Sequence, residues 1–246
     1  MRAVGTQANH GLSATEVIEQ LRSLGSESTK KTLLRHGARE PFFGVKVGDM
    51  KPIVQRIKRD HEMALALYNS GISDAMYLAG LIADDPRMTR DDLQRWVDAA
   101  YWSLLSESTV PWVAAGSAHG WEMAMRWIDS DVETTACAGW STLSSLVGIT
   151  PDTELDLPAL ESLLGRVERE IHGGRNRVRS TMNGFVICVG GYVAPLTEAA
   201  LATADRIGKV TVDVGDTDCK VADARDYIEK MQARGMIGRK RKTAKC

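Results

Sequence analysis

The chain has 246 residues, of which 43% are hydrophobic and 26% charged, and its net charge is −1. These are ordinary values for a globular protein, and the net charge neither requires nor excludes a nucleic-acid partner. No apolar run reaches the roughly 20 residues that span a bilayer, and residues 1–16 lack an apolar signal core, so we expect a cytoplasmic protein.

Helical periodicity runs through the first part of the chain, and strand alternation is nearly absent. Ser13 and Glu16 carry the signature of a capping box, which begins a helix that Gly25 ends. An irregular connector is expected over residues 41–47, and Asp49 is predicted to cap the helix that follows it. Further helices are predicted over residues 28–36, 49–57, 61–68, 73–83, 89–101, 121–128 and 132–147.

An acidic, turn-prone segment over residues 151–158 is the candidate hinge. After it, the apolar pattern predicts helices over residues 159–171, 176–189, 196–207 and 221–233, with an extended connector over residues 209–214. Beyond Gly238, the basic residues 239–246 are predicted to form a disordered tail. The sequence therefore predicts a single domain over residues 1–238.

Helices of this length, joined by short loops, form pairs, and the pairs recur at about the 40-residue spacing of HEAT-type units. The predicted fold is all-α, an α-solenoid or superhelix of HEAT-like paired antiparallel helices. An irregular helical bundle is the alternative. A solenoid differs from it in leaving an extended concave surface, which suits an elongated partner.

Several signatures of enzymes and metal sites are absent from the sequence. There is no P-loop, no H-E-x-x-H and no G-x-S-x-G. The four cysteines form no C-x-x-C pair, so we expect reduced thiols, and neither a metal nor an organic cofactor is predicted. They are Cys137, Cys188, Cys219 and Cys246.

Cationic side chains recur in groups along the chain, which makes an anionic partner a reasonable hypothesis. The candidate residues for binding it are Lys30, Lys31, Arg35, Lys46, Lys51, Arg175, Arg177 and Arg179.

Four segments share their order and helical context with one known family. They are Phe42-Phe-Gly-Val-Lys-Val47, Glu107-Ser-Thr-Val-Pro111, Trp127-Ile-Asp-Ser-Asp131 and Gly215-Asp-Thr-Asp-Cys-Lys220. Together they resemble the DNA alkylation repair family of HEAT-like repeat proteins (AlkD-type), over most of residues 30–233. Gly48 stands where that family usually has a proline before the acidic residue.

The resemblance implies that DNA binds on a concave face, and that active members remove N3- or N7-alkylated purines. A carboxylate would stabilise the cationic sugar and orient water, while aromatic rings would hold the cationic base. By position, the carboxylate is Glu107, where the family uses Asp. The aromatic residues are Trp102, with Tyr101 beside it, and Phe185, where the family uses Trp.

Two cysteines depart from the family pattern. Cys188 and Cys137 align with arginines that hold the DNA backbone in the family, and a thiol cannot replace a guanidinium there. The arginines of residues 175–179 are the candidates to compensate.

Three functions stay open at this point. They are an alkylpurine DNA glycosylase, a non-catalytic protein that binds bent or branched DNA, and a protein-interaction scaffold that uses exposed tryptophans such as Trp112 or Trp121. A monomer is expected in each case.

Overall fold

The computed structural model describes residues 11–245, and every regular element in that range is helical. The first residues of the predicted domain, 1–10, and the end of the predicted tail, Cys246, lie outside the described residues. No single helix within the described range is long and apolar enough to cross a membrane. The α-helices are α1 (Ala14–Leu24), α2 (Glu27–Arg35), α3 (Lys51–Ile57), α4 (His61–Asn69), α5 (Ser73–Ile82), α6 (Arg90–Asp98), α7 (Val110–Ala115), α8 (Gly120–Trp127), α9 (Glu133–Ile149), α10 (Leu157–Glu170), α11 (Asn176–Tyr192), α12 (Thr197–Ile207) and α13 (Ala224–Ala233).

Local capping chemistry sets several of these helix boundaries. The Ser13 hydroxyl accepts a hydrogen bond from the Glu16 amide at 3.2 Å, and the Glu16 carboxylate accepts one from the Ser13 amide, so the predicted capping box begins α1. Thr89 and Asp92 form the same device at α6. The prediction that Asp49 caps α3 was wrong. Asp49 lies in a 3₁₀ turn over Val47–Met50 that runs directly into α3.

The helices pack as a stack of pairs. One row consists of α5, the helical segment Leu105–Ala115 that ends with α7, then α9 and α11. Each member of this row contacts the next. A second row covers it, in which α4 packs on α5, α8 packs on α9, and α12 packs on α11. This arrangement confirms the predicted all-α stack of paired helices.

Two hydrophobic clusters fill the stack, and they meet at α8. Met123 and Trp127 belong to the first cluster, whereas Ala124 belongs to the second. The predicted hinge over residues 151–158 joins α9 to α10, and both helices contribute to the second cluster. The hinge and the single-domain boundary remain predictions.

The helical segment around Glu107 was not predicted. Leu105–Thr109 forms one π-helical turn, which continues into α7. Pro111 lacks an N–H and clashes with the carbonyl four residues earlier in a regular α-helix, so the wider turn accommodates it. Sequence analysis treated Glu107 as part of a short motif and overlooked this Pro111 signal.

Residues 239–245 differ from the predicted disordered tail. The Lys240 ammonium lies 2.7 Å from Asp152 and donates to the Val147 carbonyl at 2.8 Å. The Lys245 ammonium lies 2.7 Å from Asp85, and Ala244 is buried. Because partly buried carboxylates and free helix-end carbonyls attract cations, the basic composition fixes this segment against the helices.

Candidate functional site

A cavity of about 460 Å³ lies between α2, α5, the π turn, α11 and the loop over residues 214–221. We call it the central cavity. Its walls include the aromatic side chains of Phe42, Tyr77 and Trp102, together with Glu107 and Arg177. The stack therefore brings three of the predicted site residues, Trp102, Glu107 and Arg177, together at one cavity.

Glu107 is held by a bidentate ion pair. Arg177 Nε donates to Glu107 Oε1 at 2.8 Å, and Arg177 Nη2 donates to Oε2 at 2.5 Å. The Arg177 amide in turn donates to the Glu133 carboxylate at 2.8 Å, which fixes the start of α11 beside α9. The Glu107 side chain is 18% exposed and that of Arg177 is 35% exposed, so the pair lies at the cavity wall and not in bulk water.

Burial raises the pKa of the Glu107 carboxyl above its ordinary value, and Arg177 opposes part of that rise. The hydrogen bond to Glu107 raises the pKa of the Arg177 guanidinium. Each carboxylate oxygen accepts an N–H, which is the geometry of an ionised carboxylate. The cavity thus contains a carboxylate whose charge is already compensated.

The two neighbouring aromatic residues take different places. Trp102 lines the cavity, is 5% exposed, and donates its indole N–H to Ser73 Oγ at 2.7 Å. Tyr101 is not among the residues that line the cavity. Its hydroxyl donates to the carbonyl of Pro41 at 3.0 Å, and burial raises its pKa to about 12. Of these two residues, Trp102 is therefore the one that could meet a ligand in the cavity.

Phe185 lies in the core and not in the cavity. It is fully buried in α11, and its ring packs against Trp140 with centroids 5.3 Å apart. Helix α11 is apolar on most sides, so its sequence could not show which side faces the cavity. Cys137 is also buried, and burial raises the pKa of its thiol far above the usual range.

Of the predicted cation-bearing residues, only Arg177 lines the central cavity. Lys30 forms an ion pair with Glu40 at 2.7 Å. Arg175 donates to the carbonyls of Ser130 and Asp131, in a separate depression. Arg179 donates to the Asn176 side chain at 3.2 Å.

The remaining predicted cations are exposed on the N-terminal helices and the connector between them. They are Lys31, Arg35, Lys46 and Lys51. Arg35 borders a depression formed by His36 and the loop over residues 215–219, next to the central cavity. Val47 and Met50 line the central cavity, so Lys46 and Lys51 are sequence neighbours of its wall.

A second depression adjoins the central cavity at Glu107, Ser108 and Ser180. We call it the serine groove. It runs between the π turn, α9 and α11, and its serine and threonine residues are Ser108, Ser141, Ser144, Ser145, Ser180 and Thr181. Cys188 and Arg241 lie along the same groove. Sequence analysis missed it, although the spacing of Ser141, Ser144 and Ser145 puts them on one side of a helix.

The loop over residues 214–221 closes the molecule across the cavity. The Sγ atom of Cys219 lies 3.9 Å from His36 Nδ1, and Val214, Lys220 and Val221 line the cavity. The loop thus brings the end of α2 next to a segment 183 positions later in the chain.

Trp112 was expected to be an exposed contact residue, and that expectation was wrong. It is 8% exposed and packs edge to face against Tyr77, with centroids 5.6 Å apart. Trp121 is partly exposed.

The arrangement offers two chemical functions. Hydroxyls and a guanidinium can bind phosphate oxygens along the serine groove. The central cavity offers flat aromatic surfaces beside an ion-paired carboxylate, which suits a planar group such as a nucleobase.

Comparisons with known proteins agree with this picture. The model of a family described as DNA alkylation repair enzyme matches residues 17–212. An uncharacterized protein of Listeria innocua serovar 6a is 35% identical over 222 residues, which cover 87% of this chain and 95% of the relative. An uncharacterized protein of Listeria monocytogenes serovar 1/2a is 36% identical, with the same coverage of both chains.

A solved structure superposes with a TM-score of 0.88 at 37% identity, and the match covers 96% of this chain and 100% of the other. It is described as a new family of proteins related to the HEAT-like repeat DNA glycosylases with affinity for branched DNA structures. This match confirms the predicted HEAT-like repeat fold.

Proposed function

Because the chain belongs to the DNA alkylation repair enzyme family, we propose that it binds DNA along the central cavity and the serine groove, and recognises DNA structure without excising bases. The observation that supports this proposal most directly is the bidentate ion pair between Glu107 and Arg177. A glycosylase needs negative charge beside a departing cationic sugar, and a carboxylate paired on both oxygens supplies little of it.

The position of Phe185 supports the same reading. Its ring is enclosed by the core and cannot contact a base in the cavity, so Trp102 is the only one of the predicted aromatic site residues at the cavity wall. A cationic base held on one ring gains less than a base held between two.

Branched DNA is the proposed substrate class. The related protein of known structure has affinity for such DNA, and the match covers nearly the whole chain. A branch point also presents unstacked bases and closely spaced phosphates. The central cavity and the serine groove adjoin each other and offer a surface for each of these groups.

The experiment compares binding to a four-way DNA junction and to a linear duplex of equal length and composition. We expect tighter binding to the junction. Lys220→Gln, in the loop that lines the cavity, should weaken it, because a cation near phosphate is lost. Lys230→Gln, on the exposed surface of α13, is the matched control. Equal affinity for both DNAs, or equal effects of the two substitutions, would contradict the proposal.

Excision of N3- or N7-alkylated purines is the second candidate function. The observation in its favour is that Trp102 and Glu107 share one cavity. The test is release of 7-methylguanine and 3-methyladenine from methylated duplex DNA by the parent and by Glu107→Gln. Release above background that Glu107→Gln abolishes would establish catalysis and displace the first proposal.

We also propose that the protein acts in the cytoplasm as a monomer. The burial of Trp112 removes one of the two tryptophans on which a protein-interaction scaffold was based. Light scattering of the purified chain should give a mass near 26.9 kDa. A dimer mass would contradict this part of the proposal.

A further inference from the structure

We propose that Arg241 is a phosphate-binding residue, which the C-terminal segment places at the end of the serine groove. The ligand class is the phosphodiester backbone of DNA. This inference rests on the proposed function, because it assigns one contact of the DNA-binding path.

The backbone around Arg241 is fixed on both sides. The Arg241 amide donates to the Gly148 carbonyl at 2.8 Å, and Lys240 Nζ donates to the Val147 carbonyl at 2.8 Å. These bonds satisfy carbonyls in the last turn of α9, where the helix dipole also favours cations. Four residues later, Lys245 is held by Asp85 and by the Ala83 carbonyl. The segment therefore holds Arg241 in place at the groove.

Within the described part of the chain, the guanidinium itself has no anionic partner. Arg241 is exposed, and no ion pair or side-chain hydrogen bond involves it among residues 11–245. It lies over the Tyr192 ring, with Cζ 5.8 Å from the centroid, and this contact limits its rotation. Lys240 and Lys245, by contrast, are both neutralised by aspartates. In the part of the chain that the structure describes, Arg241 therefore combines an anchored backbone with a charge that remains available.

The surroundings of Arg241 suit a phosphate. Ser141, Ser144 and Ser145 of α9 and Cys188 of α11 line the same groove. Hydroxyls donate to phosphate oxygens, and a planar guanidinium binds two of them at once. The aligned Cys188 cannot supply a positive charge, because a thiol is either neutral or anionic. Burial raises the pKa of this thiol to about 11, so it stays neutral at physiological pH and does not repel a phosphate.

The test measures affinity for a four-way junction at several salt concentrations, with the parent, Arg241→Gln and Lys242→Gln. Lys242 is the matched control, since it is the adjacent exposed cation and does not line the groove. We expect Arg241→Gln to weaken binding roughly tenfold, as for a lost charged hydrogen bond. It should also reduce the slope of log affinity against log salt by about one. Lys242→Gln should change both quantities much less.

Arg241→Lys should recover part of the affinity, because it restores the charge without the planar donors. If Arg241→Gln and Lys242→Gln weaken binding equally, the inference about Arg241 is overturned while the proposed function stands. If the parent binds neither junction nor duplex, both are overturned. Thermal unfolding of Arg241→Gln should match the parent, since its anchoring bonds are made by the backbone and by neighbouring lysines.

Discussion

Glu107 and Arg177 come from segments that are 70 residues apart, yet their side chains form one ion pair at the cavity wall. Sequence analysis predicted a role for each residue, the first as a catalytic acid and the second as a contact for DNA. It could not predict their contact, because the contact depends on how α11 approaches the π turn. Paired in this way, the arginine stabilises a largely buried carboxylate, and the carboxylate lowers the charge that the arginine offers to DNA.

Arg177→Gln should make stability more dependent on pH. Without the guanidinium, the buried Glu107 pKa rises further, so the folded chain holds that proton more tightly than the unfolded chain. The stabilisation that the protonated Glu107 contributes is then complete at low pH, and it is lost as pH rises through the pKa of Glu107 in the folded chain. We expect the variant to lose on the order of 1–3 kcal/mol more, relative to the parent, near pH 8 than near pH 5.

Urea unfolding at the two pH values measures this difference. Arg169→Gln, which removes an exposed arginine of α10, should follow the parent at both values. A loss of stability in Arg177→Gln that is the same at both pH values would show that the ion pair does not control the ionisation of Glu107.

At the scale of helices and turns, the sequence predicted much of the structure, and the exceptions have physical causes. The capping boxes at Ser13 and Thr89 are local, so short motifs were sufficient to locate α1 and α6. The π turn depends on Pro111 and on the close approach of α5. The approach of α5 is a tertiary contact, and no local motif describes it. Phe185 was misplaced because α11 is surrounded by other helices. The C-terminal segment was predicted to be disordered because its partners, Asp85 and Asp152, are far away in sequence.

Gly80 is the residue that allows α5 to approach the π turn. A Cβ at this position would lie 2.6 Å from Thr109 Cγ2, and Thr109 is fully buried. Gly80→Ala should therefore destabilise the fold by about 1–3 kcal/mol, although alanine is the better helix former. Gly184→Ala in α11 meets nothing within 4 Å and should stabilise by about 0.5–1 kcal/mol. Denaturant unfolding of both variants checks the contrast, and a stabilising Gly80→Ala would refute the packing argument.

Removal of residues 239–246 should destabilise the domain. The truncation leaves Asp85 without Lys245, in a place where burial already raises the pKa of that carboxyl. It also frees the last carbonyls of α9. We expect a loss of about 2–4 kcal/mol in the free energy of unfolding. Lys242→Ala, in the full-length chain, is the control and should change it little. An unchanged midpoint in the truncated chain would show that the segment only rests on the surface.

For the whole molecule, the net charge of −1 and the proposed affinity for DNA are compatible, because binding depends on the local distribution of charge. The serine groove and the central cavity are lined by Lys220 and Arg241, and by Arg177, whose charge Glu107 compensates. Acidic side chains neutralise many of the other arginines, such as Arg90 with Glu122 and Arg225 with Asp205. A few cations concentrated along one path can therefore attract a polyanion to a nearly neutral protein.

Binding to junction DNA should consequently fall with salt, with a modest slope. A few phosphate contacts, each releasing about one counterion, predict a loss of roughly 10- to 100-fold between 50 and 200 mM salt. Fluorescence anisotropy across that range measures the slope. A slope near zero would show that phosphate contacts contribute nothing, and that the basic residues of the groove serve another purpose.

The closure of the loop over residues 214–221 against α2 has a consequence for how the protein is made. The first hydrophobic cluster is built mostly from residues 17–127 and depends mainly on contacts within the first half of the chain, whereas the cavity walls extend from Leu33 to Val221. Contacts between such distant segments form late, because the entropy of closing a long loop opposes them. During refolding, tryptophan burial should thus precede ligand binding. A partly folded intermediate would have a hydrophobic core but no ligand-binding cavity.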